Sequence, residues 1–139
     1  MNITRLRQQL IEHEGVEYKP YRCTSDKLTI GVGRNIEDRG ISHETAMQML
    51  DEDIDICINE LQQTVSYWDE IPEIVQEALV NLCFNMGIKR LMAFKKTFGY
   101  LREQQYDKAA DELLDSRYAN QVGKRAEDVA NMIREGANE

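Results

Sequence analysis

Three residues near the N-terminus offer a carboxyl, a thiol and a hydroxyl group at short spacing. Glu14, Cys23 and Thr29 form the pattern E-x8-C-x5-T inside the stretch Glu14–Gly33. A carboxyl group can donate a proton to a leaving group, a thiolate can attack or accept a proton, and a hydroxyl can hold water. The three residues therefore permit acid–base hydrolysis, although such a set also occurs by chance.

A short helix is predicted to carry Glu14. The segment Ile3–His13 has apolar residues on one helical face, Asn2 is a suitable N-cap, and Gly15 is a suitable stop. Glu14 then lies in the last turn, where the helix dipole disfavours a negative charge. A carboxylate at this position favours a role other than stability, whereas an exposed surface glutamate is the ordinary alternative.

A β-hairpin is predicted directly after this helix. Tyr18–Arg22 and Leu28–Val32 are rich in aromatic and β-branched residues, and they flank a turn-forming sequence at 24–27. Pro20 places its strand at an edge. The glycines of the following Gly-x-Gly, Gly31 and Gly33, allow close approach of backbone to another group. A helix end followed by a hairpin can put a carboxyl on one wall of a cleft and hairpin side chains on the other, as cleavage of a glycosidic bond requires.

The rest of the chain is predicted to be helical. After a polar connector at Arg34–Ile41, Ser42 is a suitable N-cap for one helix over about 43–65, which at 1.5 Å per residue would span roughly 33 Å. Further helices are predicted from Pro72 to Gly87, over roughly 93–105, from Asp107 onward, and over about 124–135. The prediction is a mainly α protein with one hairpin. A small N-terminal lobe (about 13–50) joins through the long helix to a helical lobe (about 66–139).

Composition excludes several classes of partner. The chain has 139 residues and a formal net charge of −8, so it lacks the basic stripe that nucleic acid or an anionic membrane surface would require. No apolar run approaches the roughly 18 residues of a membrane span, and no secretory signal is visible. Delivery outside the cytoplasm would then depend on another factor.

The cysteines and histidines predict no metal site and no cofactor. Three cysteines without a C-x-x-C spacing argue against a disulfide framework and against structural zinc. Cys57 and Cys83 lie in apolar helical patterns and are expected to be core residues. His13 and His43 are isolated from each other.

The motif around Glu14 resembles the catalytic signature of the phage-type (T4-like) lysozymes, glycoside hydrolase family 24. The resemblance rests on E-x8-C-x5-T within EG-x5-Y-x7-TIG-x-G, and the family has Asp or Cys at the middle position. NLCFNMG (Asn81–Gly87) resembles the family's central helix, and SRYANQVGKR (Ser116–Arg125) resembles its C-terminal region. The resemblance implies one lysozyme-like α+β domain over 1–139, with two lobes and helix 1 packed on the larger lobe.

The resemblance also implies roles for individual residues. Glu14 would be the general acid, Thr29 would hold the attacking water or stabilise the sugar ring, and Arg125 would orient Glu14. The implied substrate-binding residues are Phe84, Thr97, Asn85 and Arg117. A phenylalanine on a buried helix is also typical of a core, and packing is the role predicted for Tyr118, Phe94 and Phe98.

Cys23 leaves two interpretations open. A thiol is mostly neutral at pH 7 unless its pKa is depressed, so Cys23 acts either as a thiolate nucleophile or base, or only lines the cleft while Thr29 and water suffice. Asp26 is a third candidate, although its position favours a turn former.

The resemblance implies a muramidase that hydrolyses the β-1,4 bond between N-acetylmuramic acid and N-acetylglucosamine in peptidoglycan. We expect a monomeric phage endolysin that accumulates in the host cytoplasm, reaches the periplasm and cell wall with the help of a holin, and lyses the host. Two alternatives are a catalytically silent peptidoglycan-binding module, in which Cys23 replaces a needed Asp, and a virion-associated or toxin lysozyme domain. The pattern does not decide between retention and inversion at the anomeric carbon.

Overall fold

The computed structural model describes every residue from Met1 to Glu139. The helices are α1 (Ile3–Glu14), α2 (Ile36–Arg39), α3 (His43–Thr64), α4 (Glu73–Met86), α5 (Ile88–Met92), α6 (Lys95–Arg102), α7 (Tyr106–Leu114), α8 (Arg117–Val122) and α9 (Lys124–Glu135). The strands are β1 (Glu17–Arg22), β2 (Leu28–Gly31) and β3 (Arg34–Asn35), and short 3-10 turns cover Trp68–Glu70 and Gly136–Asn138. This architecture confirms the predicted mainly α fold with a small antiparallel sheet. None of the helices combines the length and apolar character that a membrane-spanning segment requires.

The chain divides into two compact units, Met1–Gln48 and Met49–Glu139, and the boundary falls within α3. We call them the N-terminal unit and the helical unit. The packing of helix 1 on the helical lobe stays a prediction.

Local capping explains where the predicted N-terminal elements begin and end. The Asn2 side chain accepts a hydrogen bond from the Arg5 amide at 2.9 Å, and Gly15 ends α1. In the sheet β2 is central, so β1 with Pro20 is an edge strand, as the sequence predicts.

The prediction of a polar connector at Arg34–Ile41 is wrong. The segment forms β3 and α2, because Asn35 both pairs with Thr29 of β2 and caps α2 by accepting a hydrogen bond from the Asp38 amide at 3.1 Å. Two-residue strands and one-turn helices are too short to produce a periodic pattern.

The helical unit holds the hydrophobic core. Helix α3 begins after Ser42, whose hydroxyl accepts a hydrogen bond from the Thr45 amide at 3.1 Å. Helices α4 and α7 pack on α9, and α6 packs on α7. The largest fully buried side chains are Leu61, Leu79, Leu82, Leu91, Leu101, Leu113, Ile133, Val75, Val129 and Cys83.

Two short helices of this unit were not predicted from the sequence pattern. Helix α5 follows Gly87 directly, and α8 begins at a Ser116 cap whose hydroxyl accepts from the Ala119 amide at 3.3 Å. The helix predicted over roughly 93–105 is the shorter α6, while that over about 124–135 is confirmed as α9.

Candidate active site

Glu14 is held against the turn that joins β2 to β3. It is the last residue of α1, and its side chain is exposed. Gly33 has a φ of 63°, and a Cβ at this position would lie only 2.9 Å from the Glu14 carboxylate oxygen Oε2. The second glycine of the Gly-x-Gly therefore provides the room that this carboxylate occupies.

Cys23 lies in the turn between β1 and β2 and is half-buried. Its amide donates a hydrogen bond to the Lys27 carbonyl at 3.0 Å. The nearby Lys27 and Ser25 amides, and to a lesser extent the adjacent Thr29 hydroxyl, lower the pKa of the Cys23 thiol below its ordinary value. These groups favour the thiolate form of Cys23, and its catalytic role stays a prediction.

The side chain of the adjacent Arg22 forms its hydrogen bonds with residues other than Cys23. Its guanidinium donates to Glu37 and to the Asp26 carbonyl, each at 3.2 Å. The acidity of Cys23 therefore arises from backbone amides and a hydroxyl. Asp26 has a φ of 58° and an 87% exposed side chain, as expected of a turn former.

Thr29 lies directly beside Cys23. Its hydroxyl donates to the Lys27 carbonyl at 2.8 Å, and the residue is only 3% exposed. The Lys27 carbonyl thus accepts from both the Cys23 amide and the Thr29 hydroxyl, which fixes the two residues relative to each other. This arrangement supports a positioning role for Thr29 next to the thiol, while its contact with a water or a sugar ring stays a prediction.

Exposed ion pairs tie α2 to the hairpin. The Lys27 ammonium lies 3.4 Å from Asp38 and 3.6 Å from Glu37, and the Asp38 carboxylate is the main cause that raises the pKa of Lys27. Each exposed pair contributes little by itself. Together they hold the turn that carries the Lys27 carbonyl.

In the helical unit Arg125 is fixed by Asn81. The Arg125 Nε donates to the Asn81 side-chain oxygen at 3.0 Å, and Nη2 donates to the Asn81 carbonyl at 3.2 Å. Sequence reasoning did not single out Asn81, although it opens the NLCFNMG segment. The orientation of Glu14 by Arg125 stays a prediction.

Phe84 is not a core residue. It is 45% exposed and lines an apolar cavity of about 660 Å³ together with Val80, Asn81 and Arg125. The alternative of a buried Phe84 is therefore wrong, and its ring is available to an apolar sugar face.

The exposed Asn85 is oriented by a buried tyrosine. The Tyr118 hydroxyl donates to the Asn85 side-chain oxygen at 2.6 Å, which leaves the amide NH₂ free to point outward. Burial raises the pKa of Tyr118, so its hydroxyl stays protonated. The Tyr118 ring also packs edge-on against Phe94, with 6.3 Å between the ring centroids, which agrees with the predicted packing role. The hydrogen bond to Asn85 gives Tyr118 a polar role as well.

The other two predicted binding residues differ in exposure. Arg117, the first residue of α8, is exposed and accessible to a ligand. Thr97 is only 4% exposed, so its hydroxyl is not presented to solvent, and its role in substrate binding stays a prediction.

Comparison with known proteins shows the family of this chain. The family of phage lysozymes matches residues 11–134, a range that contains Glu14, Cys23, Thr29 and the Asn81–Arg125 pair. The chain belongs to the phage lysozyme family. Membership supports a lysozyme activity, the glycosidase hydrolysis of peptidoglycan.

The chain is also similar to two named proteins of Dictyostelium discoideum. It is 22% identical to "Probable T4-type lysozyme 2" and 20% identical to "Probable T4-type lysozyme 1", in each case over 96% of both chains.

Proposed function

We propose that the chain is an endolysin-type muramidase that cleaves the β-1,4 bond between N-acetylmuramic acid and N-acetylglucosamine. The observation that carries this proposal lies in the N-terminal unit. There Glu14 is seated against Gly33, and the Cys23 thiol is acidified by two backbone amides and by Thr29.

Glu14 is the general acid in this proposal. Its carboxyl proton passes to the glycosidic oxygen as the bond between that oxygen and the anomeric carbon breaks. The exposed position at the end of α1 makes the carboxyl accessible to a polymer substrate.

Cys23 acts as the base that activates water. The thiolate accepts a proton from a water molecule whose oxygen bonds to the anomeric carbon, and proton exchange with solvent resets Cys23 and Glu14. The neighbouring Lys27 and Ser25 amides stabilise the thiolate as an anion, which supports this role. Direct attack by sulfur would instead leave a thioglycosyl intermediate.

Residues of the helical unit bind the sugar chain. Phe84 offers a half-exposed aromatic face, Asn85 offers its amide NH₂ held by Tyr118, and Arg117 offers an exposed guanidinium. Acetamido sugars present both an apolar face and hydrogen-bonding groups, which suits this combination.

The proposal includes a biological setting, which the activity alone does not determine. The enzyme acts as a monomer that accumulates in the host cytoplasm, passes a membrane opened by a holin, and lyses the host from the periplasmic side. A virion-associated or toxin lysozyme would perform the same chemistry in another setting.

Lysis of permeabilised bacteria tests the proposal. Glu14→Gln should lower the lytic rate by about 10²-fold or more, the scale expected for loss of a general acid. Glu12→Gln removes a carboxylate from the same exposed helix and should keep the wild-type rate. Undiminished lysis by Glu14→Gln would refute the assignment. Binding of cell walls by the wild type without any lysis would favour the silent binding module.

A further inference from the structure

The helical unit contains three side chains close together that could each ligate a metal ion. None of them is Glu14, Cys23 or Thr29. The Cys57 and Cys83 sulfur atoms and a Glu60 carboxylate oxygen all lie within 4.8 Å of one another. Cys57 and Glu60 are three residues apart on α3 and so share one face of that helix, and Cys83 comes from α4. Because these three side chains come from two different helices, no C-x-x-C spacing in the sequence indicates them.

We propose that Cys57, Glu60 and Cys83 form a binding site for a thiophilic divalent cation of the Zn²⁺ type, with water as the fourth ligand. In tetrahedral zinc sites the metal lies about 2.3 Å from sulfur and about 2.0–2.2 Å from a carboxylate oxygen, so neighbouring ligand atoms are about 3.5–3.8 Å apart. Ligand atoms that lie within 4.8 Å of one another would have to move closer by at most about 1.3 Å to reach this geometry.

The donor set suits a divalent cation. A cation bound here would displace the thiol protons of Cys57 and Cys83 and balance the negative charge of the Glu60 carboxylate. The Glu60 carboxylate takes part in none of the chain's salt bridges.

Burial is also suited to binding. Cys57 is 7% and Cys83 is 2% exposed, whereas Glu60 is half-buried and reaches solvent. The sulfur ligands are therefore shielded, and the carboxylate provides the side from which a cation enters. Two buried thiols alone would be ordinary core residues; the adjacent carboxylate distinguishes this pair.

A bound cation would link α3 to α4 and stabilise the folded chain. Because a ligand that binds only the folded state stabilises it by RT ln(1 + [L]/Kd), the Tm should rise with added metal. This effect does not depend on glycosidic activity, so it is separable from the proposed function.

Metal titration of the full chain, kept reduced with a phosphine, tests the site. With Co²⁺ as probe and Zn²⁺ as competitor, the wild type should bind one equivalent and show thiolate-to-cobalt charge-transfer absorption. Cys57→Ser and Cys83→Ser should each weaken binding by about 100-fold, and Glu60→Gln by about 10-fold, the scale of effects known for residues that support metal sites. Cys23→Ser removes the remaining cysteine and should leave both affinity and absorption unchanged.

Three results would overturn the proposal. They are the absence of one-equivalent binding by the wild type, unchanged binding by both Cys57→Ser and Cys83→Ser, and loss of binding in Cys23→Ser. If a core cysteine variant fails to fold, Glu60→Gln decides instead, because its side chain is half-exposed. Unchanged affinity and Tm response in Glu60→Gln would then contradict the site.

Discussion

Cys23 stands beside the amides of Ser25 and Lys27 and the hydroxyl of Thr29, and all three lower the pKa of its thiol. The neighbouring Arg22 is turned toward Glu37. Residue types and spacing only permitted a site at Glu14, Cys23 and Thr29, and the resemblance to a family singled these residues out. The hydrogen bonds that acidify Cys23 depend on turn geometry, which residue types do not reveal.

The lowered pKa predicts a particular pH dependence of activity. If the Cys23 thiolate is the base, the hydrolysis rate should rise with pH, with a midpoint below the ordinary thiol pKa of about 8.5. Cys23→Asp should move this rise into the acid range, and Cys23→Ser should remove it and lower the rate by about 10²-fold. Rate–pH profiles on cell walls provide the measurement, and a full rate in Cys23→Ser would show that the thiol is a bystander.

The same shift predicts a pH-dependent stability. The folded pKa of Cys23 lies below the unfolded value, so the thiolate contributes stability above the unfolded pKa, and this contribution is lost as pH falls through the folded pKa. Denaturant unfolding should therefore show that Cys23→Ser is less stable relative to wild type in alkaline than in neutral solution. An equal difference at both pH values would contradict the lowered pKa.

Substitution of Gly33, with substitution of Gly31 as the control, tests whether the contact with Gly33 positions Glu14. Gly33→Ala and Gly31→Ala both place a side chain at positive φ, at 63° and 70° respectively, and should lose about 1–2 kcal/mol of stability. Only the added Cβ at Gly33 meets the Glu14 carboxylate, because Gly31 has nothing within 4 Å. Gly33→Ala should therefore lower kcat by at least about 10-fold while Gly31→Ala stays near wild type. Equal activity in the two variants would show that the contact with Gly33 does not position Glu14.

At the level of elements, long periodic segments were predicted well and short ones were not. Helices α1, α3, α4 and α9 follow from apolar periodicity with recognisable caps. Segments of two to six residues, including β3, α2, α5 and α8, depend on caps and tertiary packing, since so few residues show no period.

Substitution of two glycines in the helical unit distinguishes the effect of side-chain packing on stability from the effect of helix propensity. A Cβ on Gly136 would lie 2.5 Å from Val75 Cγ2 on α4, whereas Gly99 within α6 has nothing within 4 Å. Gly136→Ala should cost about 1–3 kcal/mol through overpacking, and Gly99→Ala should gain about 0.5–1 kcal/mol through helix propensity. Chemical denaturation measures both, and a stabilised Gly136→Ala would show that α4 and the C-terminal turn are not tightly packed.

At the level of the whole molecule, motifs that resemble a known family in the same order along the chain predicted the family. The mainly α architecture and the family followed from patterns spread over most of the chain, and the family match covers residues 11–134. Pairings between distant residues, such as Arg125 with Asn81 and Tyr118 with Asn85, became visible only in the structure because they join helices far apart in sequence.

The net charge of −8 predicts how lysis responds to salt. An acidic enzyme is repelled by an anionic cell wall, and salt shortens the screening length from about 30 Å at 0.01 M to about 10 Å at 0.1 M. The lytic rate should therefore rise over this range, while hydrolysis of an uncharged soluble glycan should stay constant. A lytic rate that falls with salt would indicate attraction through a local basic surface.

Product analysis of digested peptidoglycan tests the central claim most directly. We expect wild type to release muropeptides that carry new N-acetylmuramic acid reducing ends. Glu14→Gln should release none above background, while Glu12→Gln should give the wild-type products. New reducing ends on N-acetylglucosamine, cleavage of peptide bonds instead of glycan bonds, or wild-type product release by Glu14→Gln would contradict the account.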